Sequence, residues 1–182
     1  MSSNEQGSGA VRIDVAIMMG SKSDLETMRP AAKILVGLGL AVEVRVLSAH
    51  RTPEQAAAFV REATQNGAKA FICGAGGAAH LAGAVAAHTT RPVIGVPIAA
   101  GTLGGFDSLL STVMMPPGMP VATVAVGGAE NAGLLAAQII AVGDAALAAR
   151  VEAERESRRR KVLESDAEVR AQFGRSAAPS AK

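Results

Sequence analysis

The sequence predicts an α/β fold: a three-layer sandwich around a five-stranded parallel sheet, with a helical extension at the C-terminus. Two observations carry the core of that prediction. Short apolar runs alternate with helix-length segments from residue 11 to about 150, the pattern of a parallel sheet covered on both faces. Most of those runs are near-continuously apolar, as strands buried on both faces require. A third observation adds the extension: beyond residue 150 the chain changes to a charged helical pattern. At 182 residues with no internal boundary signal, residues 11–150 fit a single domain.

The opening MSSNEQGSGA has neither a basic start nor an apolar core, so residues 1–10 read as a disordered leader and not a signal peptide. Strand one is expected over residues 11–19 (VRIDVAIMM). The following SDLE offers Ser23 as N-cap with Glu26 three residues later, a capping box that starts a helix running to about residue 38. Strand two is expected over 41–47. TPEQ then repeats the logic, with Thr52 as cap, Pro53 at the first helical position and Gln55 closing the box. The third, fourth and fifth strands are expected over 70–73, 92–96 and 121–126. Between the last two, Asp107 and Ser108 are candidate caps of another helix. NAGLLAAQIIAV (131–142) is apolar all round, which predicts burial on more than one side, within the domain or between subunits. The charged helix is expected over 151–172, with Glu154–Arg158 and Glu156–Arg160 as i to i+4 pairs, and residues 173–182 read as a disordered tail.

Composition excludes several function classes. Apolar residues make up 49% and charged residues 19%, but no apolar run approaches the roughly 18 residues of a membrane span. A soluble, cytoplasmic protein is expected. Cys73 is the only cysteine, so no intramolecular disulfide or paired-cysteine metal site can form, and within AFICG it reads as a small core residue. The basic pI belongs to the tail: residues 150–182 carry nine Lys or Arg against six Asp or Glu, while residues 1–149 carry nine against ten. With no Trp or Tyr and only four Phe, a base-stacking platform is hard to build, so nucleic acid is an unsuitable partner.

In an open α/β sheet, ligands gather at the carboxyl ends of the strands. After strand one, GSKSD (20–24) combines a turn glycine with Ser21 and Ser23, whose hydroxyls and neighbouring amides suit an anion, and with Asp24, which can accept from sugar hydroxyls. Helix capping explains the same serines. After strand two, SAHRTP (48–53) brings Ser48, His50 and Arg51. Arg51 can hold a phosphate or carboxylate bidentately, and His50 suits proton transfer near neutral pH; a solvated polar loop is the alternative. After strand three, GAGGAAHLAG (74–83) imitates a dinucleotide fingerprint only weakly, because it follows the third strand and lacks the acidic residue about twenty positions on. The better reading is that Gly76 and Gly77 let backbone approach a small ligand, with His80 at the next helix start. His88, at that helix's end, has a structural explanation. No trio of metal ligands, Walker A sequence or nucleophile elbow is present, and no cofactor is expected.

Taken in order, GSKSD, SAHRTP, AGGAAHL, PVIGVP, DSLLS and MPPGMPVATVAVGGAENAG closely resemble the PurE family of purine biosynthesis over residues 11–150. The resemblance implies a flavodoxin-like sandwich assembled as a homo-octamer with active sites at subunit contacts. It implies no metal or organic cofactor and a ribonucleotide substrate. The implied reaction converts N5-carboxyaminoimidazole ribonucleotide (N5-CAIR) to 4-carboxy-5-aminoimidazole ribonucleotide (CAIR). By the same resemblance Ser21, Asp24 and Arg51 bind substrate, His50 is the general acid/base, and the Gly76–Gly77 turn with His80 closes over the carboxylate and imidazole. Three positions depart from the family pattern: Ala82 for proline, Ala100 for serine and Met114 for glutamine. The lack of a fused synthetase domain favours a mutase over a carboxylase that takes free CO2. A non-catalytic flavodoxin-like module is the alternative from another class; the missing Trp and Tyr weigh against a flavin site, and the single Asp24 weighs against a receiver.

Overall fold

The computed structural model describes residues 12–174, so the expected leader (1–10) and residues 175–182 of the expected tail lie outside the described residues. Five parallel strands, β1 (Val15–Met19), β2 (Val42–Val46), β3 (Ala70–Gly76), β4 (Val93–Ile98) and β5 (Ala122–Thr123), form one sheet in the order β2-β1-β3-β4-β5. The order reverses between β1 and β3, which is where doubly wound sheets of this order bind ligands. Six helices complete the chain: α1 (Leu25–Gly37), α2 (Pro53–Gln65), α3 (Leu81–Ala86), α4 (Phe106–Val113), α5 (Ala129–Ala141) and α6 (Ala145–Phe173).

Alternation along the strands sorts the core into two layers. Val15, Ile17, Met19, Ile72 and Ile94 face α1 and α5, with the first turns of α6 behind them. Ala16, Met18, Phe71 and Cys73 face α2 and α3. This is the expected three-layer arrangement, and β1 is buried along its whole length. β2 is not: as an edge strand it is half-buried at Val42 and Glu43 and exposed from Val44 to Val46. Burial pushes the Cys73 thiol well above its ordinary value, as expected of an inert core sulfur.

Several boundaries differ from the sequence reading for tertiary reasons. β3 and β4 run on to Gly76 and Ile98, which pair with each other, whereas β1 stops where Met19 meets Gly74. The carboxyl edge of the sheet is therefore stepped, and the step makes room for the loops after β1 and β2. β5, expected over 121–126, is only two residues long and pairs with β4 at Ile94 and Gly95. α5 buries Ala132, Gly133, Ala136, Ala137 and Ile140 against the sheet and α1, so its apolar character is largely used within the chain. α6 begins at Asp144, whose carboxylate accepts from the Leu147 amide, so the expected helix over 151–172 is the outer part of a longer one. In it, Arg158 pairs with Glu154 and with Glu130 of α5, and Glu156 pairs with Arg159 rather than the expected Arg160. No helix of the described residues is long and apolar enough to cross a membrane.

Candidate functional site

The site occupies the step in the sheet: a cavity of about 370 Å³ lined by the loops after β1, β2, β3 and β4. Each loop brings one kind of group.

The β1 loop is held by its own polar side chains. The cap is Ser21, not the expected Ser23: its hydroxyl accepts from the Ser23 amide, while Asp24 Oδ2 accepts from the Ser21 amide at 3.1 Å. This capping box closes one 3-10 turn (Lys22–Asp24) before α1. Ser23 Oγ lies 2.9 Å from Ser21 Oγ and 3.2 Å from Asp24 Oδ1, so the three side chains form one cluster at the cavity wall. Asp24 is 8% exposed and accepts from backbone and hydroxyl donors, leaving its remaining acceptor capacity aimed at the cavity.

The β2 loop is a compact turn organised by Ser48 and Thr52. The Thr52 hydroxyl does not cap α2 as expected. It accepts from the Ser48 amide at 2.8 Å and donates to the Ser48 carbonyl at 3.2 Å, and no capping box with Gln55 forms. Ser48 Oγ in turn accepts from the amides of His50 and Arg51. The loop backbone is thus fixed from within, which frees both side chains. Arg51 Nη2 donates to the Gly20 carbonyl at 2.6 Å, bracing the β2 loop on the β1 loop and leaving the other guanidinium donors available.

The β3 loop turns at Gly77, whose φ of 61° is in the left-handed region that glycine adopts without cost. At Gly76 a Cβ would sit 2.7 Å from the Ala100 side chain and 3.1 Å from the Ile98 carbonyl, so only glycine allows the β3 and β4 ends to approach this closely. Ser111 of α4 sits behind the turn, its hydroxyl 3.5 Å from the Gly77 carbonyl. His80 follows at the start of α3 with no capping bond on its ring. Its Nδ1 lies 2.9 Å from His50 Nε2, and the rings meet edge to face at 87°. One of these nitrogens donates and the other accepts, so the pair can hold and pass a proton.

Of the residues singled out from sequence, Ser21, Ser23, Asp24, Ser48, His50, Arg51 and Gly76 line the cavity, Gly77 shapes its turn, and His80 reaches it through His50. The apolar part of the wall, Ala49, Ala75, Ala78 and Ala100, was not among the expected contacts. Its signal was only positional, since each lies at or just beyond the carboxyl end of a strand. The His50–His80 contact, across 30 positions of sequence, had no local signal at all. His88 lies away from this cavity, as its structural reading implied. Asp107 and Ser108 do not cap α4: Gly105 stands at its N-cap, Ser108 Oγ is bonded to the Ile98 and Gly105 carbonyls, and Asp107 Oδ1 is buried without a partner among the described residues.

The arrangement combines a polar end suited to a phosphorylated sugar, a histidine pair and a small apolar wall beside them. Comparisons with known proteins agree with one another. The N5-carboxyaminoimidazole ribonucleotide mutase of Brucella melitensis is 53% identical over 154 residues, covering 84% of this chain and 95% of that protein. The protein of the same name from Bacillus subtilis is 53% identical over 153 residues, covering 83% and 94%. Among solved structures, Treponema denticola PurE superposes with a TM-score of 0.77 at 30% identity, over 88% of this chain and 98% of that one. The pattern shared by the AIR carboxylase family matches residues 14–161, and the chain belongs to that family.

Proposed function

We propose that this protein is a mutase of de novo purine biosynthesis, converting N5-CAIR to CAIR in the cavity at the β1–β4 loops. The observation that carries the reading is the His50–His80 pair placed between an anion-suited polar wall and an apolar one. The ribose phosphate lies along Ser21, Ser23, Ser48 and Arg51, with Asp24 accepting from ribose hydroxyls. The aminoimidazole ring lies by His50 and the Gly76–Gly77 turn.

The chemistry then balances within one substrate. His50 gives a proton to N5 as the N5–carboxyl bond breaks, leaving aminoimidazole ribonucleotide (AIR) and CO2. The ring carbon C4 attacks the CO2 held against Ala75, Ala78 and Ala100, and the new carbon–carbon bond forms. His50 takes the C4 proton, which restores the aromatic ring and returns the histidine to its starting state. His80 fixes the direction of the His50 ring and shares its proton. The apolar alanine wall favours this sequence because it offers CO2 and water no polar partner there.

The homo-octamer implied by the resemblance and the cytoplasmic location expected from the sequence belong to this proposal. Supporting the oligomer, α4 turns its polar residues Ser108 and Thr112 inward and leaves Phe106, Leu110, Val113 and Met114 exposed, an apolar helix face suited to burial against another copy. The main competing activity is carboxylation of AIR by free CO2. Supplying N5-CAIR in one assay and AIR with bicarbonate in another, both without ATP, separates the two. Faster turnover of N5-CAIR is expected; turnover of AIR with bicarbonate alone overturns the mutase reading, and turnover of neither favours a non-catalytic module.

A further inference from the structure

The segment between β4 and α4 behaves unlike every other loop at the site. The β1 and β2 loops are bound by side-chain hydrogen bonds, whereas among the described residues no backbone amide from Ala99 to Gly104 donates a hydrogen bond to main chain or side chain. All six residues are exposed. The segment's base, by contrast, is fixed: Ser108 Oγ bonds the Ile98 and Gly105 carbonyls, and Gly105 packs against Val126 and the Ala99 backbone. Gly101 and Gly104 both take positive φ and have open space where a Cβ would stand, so the chain can pivot at two points without collision. Between them Leu103 is 64% exposed. Ala100, one residue before the first pivot, already lines the cavity.

An exposed, largely apolar strap whose backbone is tied by the Leu103 carbonyl accepting from the Phe106 amide, and by none of its own amides, has the properties of a closing element with one edge on the reaction cavity. We infer that residues 99–104 form a lid that closes over the cavity when nucleotide is bound, with Leu103 as its sealing side chain. The inference rests on the proposed function, in which CO2 must not leave between breaking the N5–carboxyl bond and forming the bond to C4. Thr102 is the only residue of the six with a polar side chain, so the closed lid brings little that would hold water against the apolar wall.

Two measurements on the full chain test it. Hydrogen exchange of residues 99–104 is compared without ligand and with saturating CAIR; slowing by at least about tenfold is expected for a segment that becomes ordered. Leu103→Asp is then assayed with N5-CAIR for the fraction released as AIR and CO2 instead of CAIR. That fraction should rise by at least about fivefold, with CAIR affinity changed by less than about twofold. Unchanged exchange on CAIR binding, or an unchanged released fraction in Leu103→Asp, overturns the lid. Wild-type conversion of N5-CAIR is measured first: its absence sinks the proposed function, whereas normal conversion with unchanged exchange sinks the lid alone.

Discussion

The two ends of β1 each carry a buried aspartate, and they are satisfied in opposite ways. Just before the strand, Asp14 is 1% exposed and fully partnered: it accepts from the Ala41 amide at 2.9 Å and pairs with Arg12 and Lys69. Just after it, Asp24 shares a cluster with Ser21 and Ser23 and faces an open cavity, with Arg51 and His50 exposed nearby. Both clusters are polar groups at the rim of the same sheet. Only the second has hydrogen-bonding capacity left over, and unspent capacity in a concave place separates a binding site from a structural tie.

Substitutions at the two ends should therefore fail differently. The largest effect is expected at the open end: His50→Asn removes the proton carrier and should lower kcat for N5-CAIR by about a thousandfold, with assembly and CAIR binding retained. Steady-state kinetics alongside a binding isotherm checks both halves. Next, Arg51→Ala should act on affinity, raising KM by roughly thirtyfold, or about 2 kcal/mol, because a charge-assisted contact to phosphate is lost.

At the closed end, Asp14→Asn should leave kcat untouched and cost about 2 kcal/mol in stability, since Arg12 and Lys69 lose their shared carboxylate. Its pH dependence gives a sharper mark. Burial pushes the Asp14 carboxyl up, but the Ala41 amide and the side chains of Arg12 and Lys69 outweigh it and hold the carboxyl below its ordinary value. The folded state thus binds this proton less readily than the unfolded chain. The stabilisation is complete above the unfolded pKa of about 3.9 and is lost as pH falls through the lower folded value. Denaturant melts of wild type and Asp14→Asn should differ most near neutral pH and converge in acid. The smallest effect is expected at Glu154→Gln, about 0.3 kcal/mol by the same melts, because the pair is partly exposed and Arg158 keeps Glu130.

Legibility from sequence follows a similar division. The strands, their parallel sense and the loop positions of His50 and Arg51 were readable because strand patterning and the alternation with helices are written in local sequence. Thr52 was recognised as an organiser but assigned the wrong partner: the hydroxyl bonds backward to Ser48, and nothing in TPEQ distinguishes that from a cap. The early end of β1 relative to β3, which creates the cavity, depends on pairing register and left no mark on either strand. α4 misleads most. Its stripe of Phe106, Leu110 and Val113 has the spacing of a core face, yet it points outward, because Ser108 and Thr112 find backbone acceptors inside.

The central claim is that one carboxylate moves between two atoms of one bound nucleotide. N5-CAIR carrying a heavy-isotope label in its carboxylate, turned over in unlabelled bicarbonate buffer, tests this directly through the label content of the CAIR formed. Retention of most of the label is expected from a cavity that holds CO2 beside His50. Label diluted to the level of the buffer would contradict the claim and make free CO2 the true substrate.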